Sequence, residues 1–330
     1  MKNLKSLVAL LLLATITLVG CSKNDDADGD GLGDTFPSAQ SYADLKKLAD
    51  ELVNLTRVFN AEDGITFTSP KGVNFTLPPN SLTLNGSPVT GEVELQYKEI
   101  FDRGTMLATN RTTMGKRPDG DKALLISGGE IYVNATQNGQ QLALNNNIIA
   151  ILPAALTGGG DPNMTLWKGR VDDNDNLTWD EIDPVAQEGQ VFLEGNGADQ
   201  SYYAYFNAFG WTNVDRFYSD PRPKTTLLVD VPEGYDNQNS AVYLSYDGEG
   251  NSALANLDTY NTSTGMFSEH YGQIPIGLEM HIIFATEDNG QWRYAIQGVT
   301  VVDNAVYTFT LAETTLGTLE QMIAAINNLP

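Results

Sequence analysis

The chain is poor in the residues that most often carry chemistry. One cysteine, Cys21, and two histidines, His270 and His281, occur among 330 residues. A single thiol forms no internal disulfide, so stability must come from buried apolar surface, and the length suffices for one or two cores. Neither histidine belongs to a His-Glu-x-x-His or cysteine-paired pattern, which removes the common zinc signatures. A Gly-x-Ser-x-Gly elbow, a phosphate loop and a dinucleotide fingerprint are also missing. Both histidines lie in strand-like or turn-flanking sequence and read as structural. A two-carboxylate glycosidase needs only a suitably spaced pair, but nothing among the 42 acidic residues singles one out. The chain therefore reads as a non-enzyme.

Positive charge is scarce too. Nineteen Lys and Arg stand against 42 Asp and Glu, a net charge of −23. Such a surface repels nucleic acid and anionic headgroups, so nucleic acid is excluded as a partner. At the N-terminus Lys2 and Lys5 precede the apolar run Leu7 to Leu18, about a dozen residues where a spanning helix needs roughly 20. A basic region, an apolar run and small residues form the grammar of a secretory leader. The four residues Leu18-Val19-Gly20-Cys21 resemble the lipobox of bacterial lipoproteins. That resemblance implies cleavage before Cys21, acylation of Cys21 and a membrane partner engaged through the lipid. Each buried methylene contributes about 0.8 kcal/mol, and two acyl chains already anchor stably. The other reading is an ordinary signal peptide with an incidental cysteine.

Ser22-Lys23-Asn24-Asp25-Asp26 and Ala27-Asp28-Gly29-Asp30-Gly31-Leu32-Gly33-Asp34 follow. Acid-rich, Gly-rich sequence without apolar periodicity cannot offset its ordering entropy, so residues 21–40 read as a flexible acidic tether. A lysine followed by acids just after the lipid cysteine resembles the export signal of surface lipoproteins in the Bacteroidota, which implies an outer-membrane location facing the exterior. A second reading is calcium. Asp26, Asp28, Asp30 and Asp34, with Gly31 for the turn, fall at loop positions one, three, five and nine. Thrombospondin type-three repeats look similar, but position twelve here is Pro37, which has no carboxylate.

Leu45, Leu48, Leu52, Leu55 and Phe59 recur at steps of three and four, and Ser41 can cap, which predicts a core-packing helix over 42–59. From Gly64 short β-rich runs take over: Ile65 to Thr68, Val73 to Leu77 and Val89 to Ile100. Glu99 falls on an apolar face and is expected to bond backbone or a neighbour such as Arg103. Asn138-Gly139 is the strongest hairpin signal, between Gly129 to Gln137 and Gln140 to Leu144. Ile148 to Leu152 reads as a further strand.

The runs Gly72-Val73-Asn74-Phe75-Thr76-Leu77-Pro78-Pro79-Asn80-Ser81, Gly91-Glu92-Val93-Glu94-Leu95-Gln96-Tyr97-Lys98-Glu99 and Ile126-Ser127-Gly128-Gly129-Glu130-Ile131-Tyr132-Val133-Asn134-Ala135 resemble Bacteroidota surface lipoproteins whose first domain is similar to the ZU-five β-sandwich. The likeness covers roughly residues 64–153. It implies a structural or interaction module and carries over no catalytic residue.

Asp172-Asp173-Asn174-Asp175-Asn176 reads as an Asx-rich hairpin turn, with a metal loop as the sharper reading. The aromatic segment Tyr202 to Tyr218 has two readings. It is either a platform for sugar rings, with Tyr203, Tyr205 and Trp211 as the ligand surface, or a wedge between two packed bodies. After Pro221 and Pro223 a second β body begins, with strands at Thr225 to Val231, Ala241 to Tyr246, His281 to Thr286, Trp292 to Val302 and Val306 to Leu311. Thr318 and Gln321 form a capping-box pattern before a final helix.

The expected fold class is mainly β: two antiparallel β-sandwich domains with one N-terminal and one C-terminal amphipathic helix. The divisions are 1–20 leader, 21–40 tether, 41–155 helix and first sandwich, 156–222 aromatic connector, 223–313 second sandwich and 314–330 helix. The functional expectation is a lipid-anchored binding or assembly module for outer-membrane or cell-surface proteins. The alternative is a glycan binder or hydrolase.

Overall fold

The computed structural model describes residues 36–330 apart from 184, 186 and 187. Cys21 and the candidate calcium ligands Asp26, Asp28, Asp30 and Asp34 lie outside the described residues. The end of the expected tether is docked. The Phe36 ring stands edge-on to Tyr235 at 5.5 Å, and the Pro37 carbonyl accepts from Asn239 Nδ2 at 3.1 Å.

Helix α1 (Ala39–Leu52) starts earlier and stops sooner than its periodicity predicts. Ser38, not Ser41, is the cap, its Oγ accepting from Ser41 N at 3.0 Å. Tyr42, Leu45 and Ala49 form the buried stripe, while Leu48 and Leu52 are 59% and 72% exposed. Leu55 and Phe59 belong instead to strand β1 (Asn54–Asn60), paired antiparallel with strand 92–100. The β-branched Thr56 and Val58 favour that outcome, and the pairing satisfies the backbone that a helix would otherwise satisfy.

The first body continues with β2 (Ile65–Thr68), β3 (Asn74–Leu77), β4 (Leu82–Leu84), β5 (Ser87–Pro88) and β6 (Glu92–Ile100). Helix α2 (Arg103–Thr109) follows, capped by Asp102, whose Oδ1 accepts from Thr105 N at 2.9 Å, and closed by left-handed Asn110. It is a third helix that the sequence reading lacked, because seven residues are too few to display a period. Then come β7 (Met114–Lys116), β8 (Lys122–Gln137), β9 (Gln140–Gln141), β10 (Ala143–Leu144), β11 (Ile148–Pro153), β12 (Thr165–Val171), β13 (Leu177–Glu181), β14 (Gly189–Glu194), β15 (Ser201–Phe206) and β16 (Gly210–Phe217). The segment read as a connector thus supplies β12 to β16 to the sheets of the first body.

One sheet runs β14-β15-β11-β3-β2; the larger runs β1-β6-β8-β16-β12-β13-β7. Phe75, Leu77, Ile148, Leu152, Tyr202 and Phe206 of the first meet Val93, Leu95, Ile131, Val133 and Val214 of the second in one core. The larger sheet curls until β7 bonds both β13, in parallel, and β8, antiparallel. Strands β7, β8, β16, β12 and β13 therefore close a small barrel. The bend in β8 sits at Gly129, whose φ of +133° suits glycine and whose Cβ position would lie 2.2 Å from the Phe101 ring. Side chains alternate across the wall. Leu124 and Ile126 pack outward on the second body, whereas Leu125, Trp167, Leu177, Trp179 and Trp211 pack with the junction core.

The second body comprises β17 (Lys224–Asp230), β18 (Ser240–Tyr246), β19 (Ala255–Asn256), β20 (Thr259–Asn261), β21 (Met266–Pro275), β22 (Glu279–Asp288), β23 (Gln291–Thr300), β24 (Val306–Thr308) and β25 (Thr315–Gly317). Its sheets run β20-β21-β17-β24 and β19-β18-β22-β23-β25. Pairing is antiparallel except between β17 and β24, which with β7–β13 corrects the all-antiparallel expectation. Leu227, Val229, Val242, Leu244, Ile282 and Phe284 fill the core.

Helix α3 (Leu319–Asn327) ends the chain with the capping box formed by Thr318 and Gln321. Together α1, α2 and α3 join both bodies through a third core that includes Tyr42, Met106, Leu107, Trp179, Tyr243, Ile283, Trp292 and Ile326. Arg103, 1% exposed, crosses this junction: its guanidinium donates to the Ile326 carbonyl at 3.0 Å, to Ser245 Oγ at 2.6 Å and to the Leu329 carbonyl. Residues 36–330 form one compact unit. Among the described residues no helix is long and apolar enough to cross a membrane.

Candidate binding cleft

Helix α1, the β12–β13 turn and the second-body segments around 237–241 and 256–258 enclose a cleft of about 510 Å³. That volume lies within the usual range for ligand sites, which favour domain junctions. Its walls are built by short-range hydrogen bonding. In the turn, Asp172 Oδ1 accepts from the backbone N–H of Asn174 and of Asn176, both at 2.9 Å, and Asp175 adopts φ +63°. This is an Asx-type turn. Across the cleft, Asp236 Oδ1 accepts from Gln238 N at 2.8 Å and Asn239 Oδ1 accepts from Asp236 N at 2.9 Å. That bonding turns the Asn237 and Gln238 side chains outward, and both are exposed.

Two of the three carboxylates in the cleft are matched, and the third, exposed Asp173, has no ion pair among the described residues. Asp175 faces Arg111 Nη1 at 2.9 Å and Lys46 Nζ at 3.7 Å; Asp258 takes Lys122 Nζ at 2.5 Å and the Tyr271 hydroxyl at 3.0 Å. Burial pulls the Lys46 ammonium below its usual range, and Asp175 opposes the shift. Among the described residues no group of three His, Cys, Asp or Glu is placed to hold a metal. What the cleft offers instead is amide. Asn174, Asn237 and Gln238 have side chains without a protein partner among the described residues, and Asn176 and Asn256 stand beside them, joined at 3.3 Å. Tyr42, Leu257 and Phe267 close the floor and are buried.

The three aromatic candidates are not brought together. Trp211, 6% exposed, faces the barrel interior, 5.3 Å from Tyr132 and 6.5 Å from Trp179, with the Arg111 guanidinium over it at 5.8 Å. It is core. Tyr203 and Tyr205 lie on the opposite face of the β14–β2 sheet from buried Tyr202, Ala204 and Phe206, and Phe192 stands 6.3 Å from Tyr205.

The barrel interior also holds two acids, Glu130 and Asp215, both 0% exposed. Asp215 Oδ2 accepts from Asn213 Nδ2 at 2.7 Å, and Asn213 Oδ1 accepts from Ser127 Oγ at 2.8 Å. Both Glu130 oxygens and Asp215 Oδ1 have no partner. Burial, with the Asp215 charge adding to it, holds the Glu130 carboxyl well above its usual range, and Arg111 opposes this. Burial likewise raises Asp215, and the nearby Ser127 hydroxyl and Gly128 N–H oppose the shift. Sequence reasoning missed this pair because the bulge between Asn213 and Asp215 and the bend at Gly129 set which face each acid takes.

Glu99 accepts from Lys71 N at 2.9 Å and from the Tyr97 hydroxyl at 3.0 Å; the expected neighbour Arg103 is engaged at the junction instead. His281 Nδ1 lies 2.7 Å from Asp247 Oδ1, a structural contact between β22 and the turn after β18. Asp215 and Arg216 take opposite faces of β16, the first buried and the second half-buried, and Arg216 Nε pairs with Asp161 at 2.5 Å.

No model of a known protein family matches this chain, and no curated protein matches it.

Proposed function

We propose that the chain is a non-enzymatic binding module: two β-sandwich bodies, the first similar to ZU-five domains, held on the outer membrane through lipid on Cys21. The observation that carries this reading is the cleft between the two bodies. A hydrolytic site needs carboxyl groups free to reach a bond or a water. Here the Asp175 and Asp258 oxygens are taken up by Arg111, Lys46 and Lys122, which leaves Asp173 as the single unpaired carboxylate among the described lining residues, where a two-carboxylate site needs a pair. The barrel acids, Glu130 and Asp215, are fully buried where no substrate reaches them. A rigid junction supports binding as well, because pre-formed walls reduce the ordering cost of association.

The test uses the full mature chain on its anchor. A photo-crosslinker replacing Asn237 should trap a surface ligand, while one replacing Thr66 on the open sheet face should not. Cys21→Ser should release the protein from the membrane fraction. Turnover of any glycan or peptide substrate by the purified chain would overturn the reading.

A further inference from the structure

We infer that the ligand of this cleft is a neutral saccharide, gripped between the amide of Asn174 on the first body and those of Asn237 and Gln238 on the second. The inference rests on the binding-module reading and adds the chemical class of its ligand. A planar amide presents a donor and an acceptor side by side, and a sugar presents adjacent hydroxyls that each donate and accept, so one amide can satisfy a hydroxyl pair. Three such amides, exposed and without protein partners, face one another across about 510 Å³.

Charge narrows the class. The chain carries −23, yet Asp175 and Asp258 are matched by Lys46, Arg111 and Lys122. Lys46, the one cation among the described lining residues, shares Asp175 with Arg111, and Asp173 adds an exposed negative charge, so the lining and the surrounding field both disfavour a uronate or sulfate. Peptides are recognised through apolar or aromatic anchors in pockets or through strand addition. The large apolar residues of this cleft, Tyr42, Leu257 and Phe267, are buried, and the exposed ones, Ala39 and Ala43, are too small to form an anchor pocket. The open lining is chiefly amide, with the Asp173 carboxylate and the small side chains of Ala39 and Ala43 beside it.

Calorimetric titration of the full mature chain in detergent, against neutral hexose and N-acetylhexosamine oligomers, matched uronate oligomers and a peptide pool, tests this. A neutral oligomer should bind, and Asn237→Ala with Gln238→Ala, or Asn174→Ala alone, should weaken it by about tenfold. Thr66→Ala on the open sheet face should leave it unchanged. All of these side chains are at least partly exposed and lie outside the cores. Equal or better binding of uronates or peptides, lost in the same variants, would overturn the saccharide class while the binding module stands. Saccharide binding that survives all three cleft substitutions would move the site elsewhere and overturn the inference. Failure of every probe at millimolar concentration would overturn it as well, and if the Asn237 crosslinker also traps nothing, the module reading falls with it.

Discussion

At the scale of single residues, the least expected feature is a pair of carboxyls inside a barrel otherwise filled by tryptophan. A buried carboxyl avoids the cost of desolvating a charge by remaining protonated, so both acids titrate above their unfolded values. A raised folded value fixes the sign of the pH dependence. The contribution is fully present below the unfolded value of about 4 and is lost as pH rises through the folded one. Glu269, accepting from Tyr271 N and Gly272 N, acts in the same direction with its carboxyl pushed up to about 7, chiefly by burial. The native state should therefore lose stability between pH 5 and pH 8 rather than gain it. Glu130→Gln keeps shape and removes the titratable group. It should flatten that slope and stabilise the chain at pH 8 by about 1–2 kcal/mol, read as a melting temperature higher by about 2–4 °C per kcal/mol. Urea denaturation at several pH values checks this, and a slope unchanged by the substitution would show that Glu130 is solvated.

At the scale of elements, the contact between α2 and α3 turns on a missing side chain. A Cβ on Gly104 would lie 2.8 Å from the Ile323 carbonyl oxygen and 2.9 Å from Asn327 Oδ1, the atom that accepts from Gly104 N. Propensity and packing then pull in opposite directions. Alanine is better than glycine in a helix by about 1 kcal/mol, whereas overpacking costs about 1–3 kcal/mol. The backbone atoms of α3 cannot swing aside, so Gly104→Ala should destabilise by about 1–2 kcal/mol. A stabilised variant would mean that the helices sit further apart. The same pair of helices shows what the sequence could and could not disclose. The capping box at Thr318 is local, so the start of α3 was legible, as was the hairpin at Asn138-Gly139, with φ +52° and +76°. Helix α2 was not, because its place is set by Arg103 reaching residues more than 220 positions away. Strand β21 was missed for a related reason: Ser268, Glu269 and His270 interrupt its apolar pattern. Its pairing with β17 through a register shift is what holds it extended. The cleft was illegible for the same reason, since Asn174 and Asn237 meet only after both bodies have folded.

At the scale of the whole molecule, the question is whether the two bodies behave as one. Each has its own core, which alone would allow separate melting. Two features oppose that. Met114, Leu124 and Ile126 of the first body belong to the core of the second, and all four tryptophans, three from the first body and one from the second, share the junction core with the helices. Backbone bonds reinforce it, with Ser127 N donating to the Ser252 carbonyl at 3.1 Å and Thr113 N to the Leu254 carbonyl at 2.9 Å. Unfolding one body would expose the apolar face of the other, at roughly 25 cal/mol per Å². The chain should thus melt in a single calorimetric transition with matching calorimetric and van't Hoff enthalpies. Arg103→Leu removes the bonds to Ser245 and to the last carbonyls of α3, each worth about 1.5–3 kcal/mol when the donor is charged. It should lower the melting temperature and split or broaden the transition as the junction fails first. Two resolved transitions already present in the unsubstituted chain would show the bodies to be independent, and a cleft between independent bodies would have walls too mobile to hold the amide geometry on which its ligand depends.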